Sequence, residues 1–331
     1  MQRKEFFVGI DVSKETLDVA ISGTKNHIRI ANNADGFRQL QSWFKSLNID
    51  LAACWFVFEY TGGYEYKLVQ FCSSKTITFT RLAGLEIKKS LGIQRGKNDK
   101  VDSRRIAEYG YEKREKLQPH SAESSGITRI KLLLTQRSGF INDKKAQDSR
   151  MKELKAMMDF DDNNPILERY QAAADFAKEM IIKVEACIME EINKDAELKL
   201  TFKLITSIPG IGKVNAWLVI AYTDNFTRFK NARKFGSYCG VVPFDHTSGK
   251  SIKGKSRINH FANKEIKSTL SMAARAAIVH NPELSVYYQR RKTLGKHPMS
   301  IINEVRFKLI LRMFAVVNKK EVYVDKSKIA A

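Results

Sequence analysis

Phe6-Phe7-Val8-Gly9-Ile10-Asp11 is an apolar run that ends on a carboxylate, and Cys54-Trp55-Phe56-Val57-Phe58-Glu59 repeats the pattern further along. Runs of this length, rich in aromatic and β-branched residues, read as strands of a buried sheet. Between them, residues 17–22 alternate apolar and polar and can pair with the first strand across a turn at 12–15. Residues 27–31 and 76–80 read as further strands. Phe37, Leu40, Trp43, Phe44 and Leu47 fall at helical spacing, and residues 64–72 and 101–111 also read as helices. Strands in succession, then strands alternating with helices, predict a mixed α/β sheet over residues 1–118.

Residues 119–200 carry no strand signal. Phe176, Met180, Val184, Ile188 and Ile192 recur every four residues as one apolar stripe, and Ile130, Leu133, Leu134, Phe140, Met151, Leu154 and Met158 make a patchier one upstream. Asp161-Asp162-Asn163-Asn164-Pro165 separates the two. The prediction is a long antiparallel helical hairpin, serving either as a spacer or as a coiled-coil dimerisation element. Residues 201–331 are predicted to be mainly helical with basic loops.

Lysine and arginine number 57 against 36 aspartates and glutamates, a formal charge of +21. Such an excess points to a polyanionic partner, nucleic acid above all. No basic amphipathic tail stands apart to bind a membrane surface. The four cysteines, Cys54, Cys72, Cys187 and Cys239, include no C-x-x-C pair, so neither zinc nor a disulfide framework is indicated. They read as reduced, buried thiols. With no apolar run of spanning length, the expectation is a soluble, cytoplasmic protein.

Asp11 and Glu59 close their strands, and strand ends of an α/β sheet are where catalytic groups collect. Asp99 and Asp102 stand three apart at the start of a helix and share one face. Each acid alone fits a turn or a helix cap equally well. Together, in so basic a chain, they suit hard cations such as Mg²⁺ or Mn²⁺ and phosphoryl transfer on nucleic acid.

Downstream, Pro209-Gly210-Ile211-Gly212-Lys213 resembles a helix–hairpin–helix turn, where glycines admit a phosphate close to the backbone; a plain tight helix connection is the alternative. Thr247-Ser248-Gly249-Lys250 leads into Ser251-Ile252-Lys253-Gly254-Lys255-Ser256-Arg257, read as a flexible basic loop suited to phosphate contacts. Taken alone, a serine before glycine is a turn residue. Tyr287-Tyr288-Gln289-Arg290-Arg291-Lys292 is a further basic-aromatic run, facing nucleic acid or solvent.

These marks, in this order, carry a resemblance over nearly the full length. The chain resembles the DEDD transposases of the insertion-sequence-110 family, which includes the Piv-type DNA invertases. Val8-Gly9-Ile10-Asp11-Val12-Ser13-Lys14, Glu59-Tyr60-Thr61-Gly62-Gly63-Tyr64 and Lys97-Asn98-Asp99-Lys100-Val101-Asp102 are its N-terminal marks; Ile208-Pro209-Gly210-Ile211-Gly212, Phe226-Thr227-Arg228-Phe229, Gly240-Val241-Val242-Pro243 and Thr247-Ser248-Gly249 are its C-terminal ones. The resemblance implies an RNase H-like, Holliday-resolvase-type (RuvC-like) domain over 1–118, with Asp11, Glu59, Asp99 and Asp102 binding Mg²⁺, or Mn²⁺ in its place. It implies a coiled-coil dimerisation region over 119–200. Residues 201–331 would then form a mainly α-helical transposase domain in which Ser248 attacks DNA and forms a phosphoserine, with Lys213, Lys250, Lys253, Lys255 and Arg257 on the nucleic acid. Target and donor DNA, a guide non-coding RNA and a homodimer that assembles to a tetramer are the implied partners. Two other readings share the residues: a resolvase-like structure-specific endonuclease using water, and a non-catalytic nucleic-acid-binding protein. The chain departs from the family pattern at Leu82-Ala83-Gly84-Leu85-Glu86-Ile87, where an Asn-Pro is usual.

Overall fold

The computed structural model describes residues 4–84, 86–87, 99–158, 164–242, 244–248, 252–257 and 262–325. The chain divides into two compact units, Met1–Ala122 and Glu123–Ala331.

The first unit is built on five strands: β1 (Phe6–Val12), β2 (Thr16–Ile21), β3 (His27–Ala31), β4 (Cys54–Glu59) and β5 (Thr78–Leu82). Their order in the sheet is β3-β2-β1-β4-β5. β1, β2 and β3 pair antiparallel, whereas β1, β4 and β5 run parallel. Helices α1 (Ala34–Ser46), α2 (Tyr66–Ser74) and α3 (Asp99–Glu112) cover it.

The period of two along each strand sorts the layers. Val8, Ile10 and Val12 of β1 and Phe56 and Phe58 of β4 point into a core shared with Phe37, Leu40 and Phe44 of α1 and Leu68 and Phe71 of α2. Phe7 and Val57 point the other way, into a smaller cluster with Ile106 and Tyr109 of α3. Gly9 lies on this second face, and α3 sits directly on it. A Cβ at Gly9 would come within 2.1 Å of the Ala107 nitrogen and 2.2 Å of the Ser103 carbonyl. Gly110 in turn lies over Val57 and Phe7. The helix therefore runs against the direction of β1, and its first turn comes over the end of the strand.

The second unit opens with the paired helices α4 (Ser125–Met158) and α5 (Pro165–Lys194). The predicted break at 161–165 lies mostly outside the described residues, but Asn164 caps α5 by accepting from the Ile166 N–H, with Pro165 at the first helical position. The single stripe from Phe176 to Ile192 does not hold. Val184, Ile188 and Ile192 are buried with Ile127, Ile130 and Leu134 of α4, whereas Phe176 is 59% exposed. A step of four residues overshoots a turn by about 40°, so the stripe winds off the seam. The seam follows Leu167, Ala174, Ala177, Val184, Ile188 and Ile192 instead. Arg129–Glu191 and Arg137–Glu185 ion pairs, 2.6 and 2.7 Å, flank it.

The base of this hairpin shares one core with α6 (Ala196–Thr206), α7 (Lys213–Thr223), α8 (Ala232–Tyr238), α9 (Lys264–His280), α10 (Pro282–Thr293) and α11 (Pro298–Lys319). Trp217, wholly buried, lies within it. A two-stranded sheet, β6 (Phe244–Ser248) and β7 (Ile252–Arg257), interrupts the helices.

Cys54, Cys72 and Cys239 are buried, but Cys187 is exposed, because it falls on the outer side of α5. Among the described residues no helix is long and apolar enough to cross a membrane.

Candidate DNA-processing site

Asp11 ends β1 on the face that carries α3, and the parallel register Ile10↔Phe58 brings Glu59 level with it on the neighbouring strand. The antiparallel α3 delivers Asp99 and Asp102 from its first turn. The Asp11 carboxyl is pushed up to about 6, first by burial and then by the charges of Asp99, Asp102, Asp18 and Glu59. Carboxylates far apart in sequence thus lie near enough to Asp11 for their charges to add to the effect of burial.

Three features of this end are invisible in the local sequence pattern. Gly84, within the stretch that departs from the family pattern, leaves room for Glu59: a Cβ there would fall 1.7 Å from the Glu59 Oε1. Asp18, opposite Asp11 in the β1–β2 ladder, is buried and accepts a hydrogen bond from His27 Nε2 at 2.9 Å, with Arg29 at 3.5 Å. Glu65, also buried, ties down the turn after Glu59 by accepting from the Thr61 hydroxyl and, at 2.9 Å, from the Gly63 N–H. Gly62 and Gly63 take φ values of +83° and +151°, a turn open to glycine. Asn32 completes the support, donating to the carbonyls of Ser13 and Tyr64 at 3.1 and 2.9 Å.

Two of the acids are paired with arginines. Asp102 is paired with Arg105 at 3.0 Å, and Asp99 with Arg29 at 3.6 Å. Among the described residues no three histidine, cysteine or acidic side chains stand ready around one cation. The fit to a divalent ion is chemical: oxygen donors of like charge, one of them pushed up to about 6 by burial and then by its acidic neighbours, suit Mg²⁺ or Mn²⁺.

In the second unit, the stretch expected to be a flexible loop is a strand. β7 pairs antiparallel with β6, Ser248 opposite Ile252 and Thr247 opposite Lys253, with a bulge between Phe244 and His246. Backbone pairing overrides a composition of lysine, serine and glycine that reads as a loop. Ser248 thus stands at the end of a strand, beside the turn. Lys253, Lys255 and Arg257 occupy alternate positions of β7. Lys250, and the side chains of Ser248, Lys253, Lys255 and Arg257, lie outside the described residues.

Lys213 opens α7 and is exposed. Gly212 caps that helix without a side-chain hydrogen bond, and a Cβ on it would meet nothing within 4 Å. Gly210 (φ +91°) is needed for another reason, the close approach of Ala273 and Ala277 on α9. The run 287–292 is partly engaged internally: Tyr287 donates to Glu304 at 2.9 Å, and Arg291 pairs with the same carboxylate at 3.1 Å. Arg228, part of the quoted mark Phe226-Thr227-Arg228-Phe229, lies over the rings of Phe229 and Tyr238, 5.5 Å from each.

Comparison with known proteins spans both units. A transposase model of the IS110 DEDD type matches residues 8–157, and the model described as "Transposase IS116/IS110/IS902 family" matches 202–289. The chain is 28% identical over 321 residues to the pilin gene-inverting proteins of Moraxella lacunata and Moraxella bovis, covering 95% of this chain and 96% of each relative. It is 27% identical over 134 residues to an insertion element IS110 protein of Streptomyces coelicolor, 40% of this chain and 33% of that one. The matches define the class, an enzyme of DNA transposition and recombination. Within that class, the chain belongs to the IS110 family of transposases.

Proposed function

We propose that the chain cuts and rejoins DNA strands by serine-mediated exchange, with Asp11, Glu59, Asp99 and Asp102 holding Mg²⁺ and Ser248 as the nucleophile. What supports this reading is that Asp11 and Glu59 stand level on neighbouring parallel strands with the first turn of α3 brought toward them, so that the charges of Asp99, Asp102 and Glu59 add to burial in raising Asp11. The strand order β3-β2-β1-β4-β5, three antiparallel and then parallel, supports an RNase H-like (RuvC-like) fold for the first unit. The likeness to the gene-inverting proteins, over nearly their whole length, supports a reaction that conserves DNA ends.

Bound at these carboxylates, Mg²⁺ supplies Lewis-acid stabilisation of charge on the phosphate. The chain's own groups do the rest. Ser248 Oγ forms a bond to phosphorus as the bond to the 3′ oxygen breaks, and the serine proton ends on the departing 3′ hydroxyl. The phosphoserine keeps the energy of the phosphodiester, so a 3′ hydroxyl of the second duplex reverses the step without ATP. Arg29 and Arg105, which pair with Asp99 and Asp102, would have to release them for these carboxylates to hold a cation. Lys213, Lys250, Lys253, Lys255 and Arg257 position the phosphates. Target and donor DNA are the substrates, a non-coding RNA guides the choice of site, and dimers join into a tetramer around two duplexes.

The test is an end-labelled duplex with Mg²⁺ and the element's flanking RNA, resolved under denaturing conditions. A protease-sensitive protein–DNA adduct, lost in Ser248→Ala, is expected. Free nicked DNA made equally well by that variant would leave a hydrolytic nuclease instead. A mixture of Ser248→Ala and Asp11→Ala chains tests sharing of sites between subunits: recovery of about a quarter or more of the adduct is expected, and none at all would rule sharing out.

A further inference from the structure

Across β5 from the carboxylates, the first unit holds a second feature the proposed chemistry does not use. A cavity of about 340 Å³ is lined by Arg81 of β5, Lys113 and Lys116 just beyond α3, and His120, with Tyr109 and Glu86 on the other wall. Its volume falls in the range of small-molecule sites. Lys113 is half-buried and Lys116 exposed, and neither has a carboxylate partner among the described residues. His120 Nδ1 accepts the Arg81 N–H at 3.0 Å. Among the described residues Glu86 is the one acid on the lining, and it already accepts from the Tyr109 hydroxyl at 2.8 Å. With Arg81, Lys113 and Lys116 against one carboxylate, the described lining is net cationic.

Its position links it to the sheet end. Glu59 pairs with Leu82 in the β4–β5 ladder, and the Tyr60 N–H donates to the Leu82 carbonyl at 2.8 Å. The Arg81 guanidinium lies 5.9 Å from the centre of the Tyr60 ring, which is 48% exposed. An exposed ring backed by arginine is a stacking platform for an unpaired base. From Glu59 the surface therefore passes over an aromatic ring to a cationic recess.

We propose that this recess holds a phosphate of a single-stranded nucleic acid, one strand beyond the catalytic carboxylates, with the adjoining base stacked on Tyr60. The shared chemistry is a phosphodiester next to an unstacked base, found in an RNA loop and in a displaced DNA strand alike. A duplex does not present that base and engages the recess weakly. The proposal rests on the nucleic-acid reading above but not on the serine.

Binding of the full-length Lys113→Gln/Lys116→Gln chain is measured by fluorescence anisotropy over a salt series. The probes are a fifteen-nucleotide RNA, the DNA strand of the same sequence and its duplex. Single-strand affinity is expected to fall about tenfold, and the slope of log affinity against log salt to flatten by about 1.4, the value for two lost phosphate contacts on single strands. The duplex changes less than twofold. A larger loss on RNA assigns the recess to a guide, and a larger loss on DNA to a displaced strand. A Lys45→Gln/Lys75→Gln chain removes two exposed charges elsewhere on the same unit and keeps wild-type slopes. Equal losses in both double variants, or an unchanged slope for Lys113→Gln/Lys116→Gln, would overturn the proposal. Failure of the wild-type chain to bind any probe would sink the recombinase reading as well, whereas normal binding with no covalent adduct would sink only the serine mechanism. Tyr60→Leu keeps the charge and is expected to weaken single strands about fivefold with the slope unchanged.

Discussion

The sheet end of the first unit and the β6–β7 hairpin of the second carry the two halves of the proposed chemistry, and they are built in opposite ways. The carboxylates stand on a five-stranded sheet whose neighbours are buried, with glycines at 9 and 84 cut to fit the groups above them. Ser248 stands on two short strands that, among the described residues, pair only with each other. A set of like charges must be held together against repulsion, which calls for a rigid, packed frame. A nucleophile that has to reach a phosphate and follow it is compatible with a small hairpin, which has little stability of its own. The difference teaches that loss of activity has different causes in the two regions: loss of fold in one, loss of chemistry or contact in the other.

The sharpest break in that comparison comes from Gly9. Its Cα is in contact with the backbone of α3, so Gly9→Val drives methyl groups into Ala107 and Ser103, which cannot rotate aside. A cost above about 3 kcal/mol is expected, with α3 and its two aspartates leaving Asp11. Denaturant unfolding should show the first transition lost or shifted far down, with the helical second unit retained. Wild-type stability for this variant would mean that α3 does not sit on β1 as described.

Asp11→Asn comes next, and it separates charge from packing. Adduct formation is expected to fall by more than a thousandfold, while the metal-free chain becomes more stable. The sign follows from the raised carboxyl. A group held at about 6 when folded, against about 3.9 in an unfolded chain, binds its proton more tightly in the fold. Its favourable contribution is complete below about pH 4 and is lost as the pH rises through 6. At pH 8 the ionised group costs about 1 kcal/mol once solvent screening is allowed for. Melting in EDTA should therefore find Asp11→Asn more stable than wild type at pH 8 and equal to it near pH 4. Added Mg²⁺ should raise the wild-type midpoint and leave the variant's unmoved. A difference that does not change with pH would show that Asp11 is not held among like charges.

What was legible in the sequence follows the same divide. Residues 27–31 and 54–59 read correctly as strands because period, composition and closing residue agree locally. The four acids could be named because they end strands or open a helix. Asp18 and Glu65 could not: an isolated acid reads as surface, and only the approach of His27, Arg29 and Thr61 shows them to be buried supports. Gly84 read as a departure from the family pattern until Glu59 was seen against it. β7 read as a loop because lysine, glycine and serine have low strand preference and its pairing partner supplies the order. The apolar stripe of α5 failed for a geometric reason, since a strict four-residue repeat drifts round a helix.

The smallest effect is expected on the hairpin itself. Lys253→Gln/Lys255→Gln removes two charges from alternate positions of β7. The melting midpoint should stay within about a degree of wild type, since surface substitutions away from packed groups cost little. Duplex affinity should fall several-fold, and the salt slope should flatten by about 1.8, the value for two phosphate contacts on a double helix. Positioning contacts carry no sequence information, so the loss should be equal on cognate and unrelated duplexes. A melting loss of several degrees would mean that the hairpin is packed into the second unit as firmly as β1 is packed into the first, and the contrast between the two regions would then be one of composition alone.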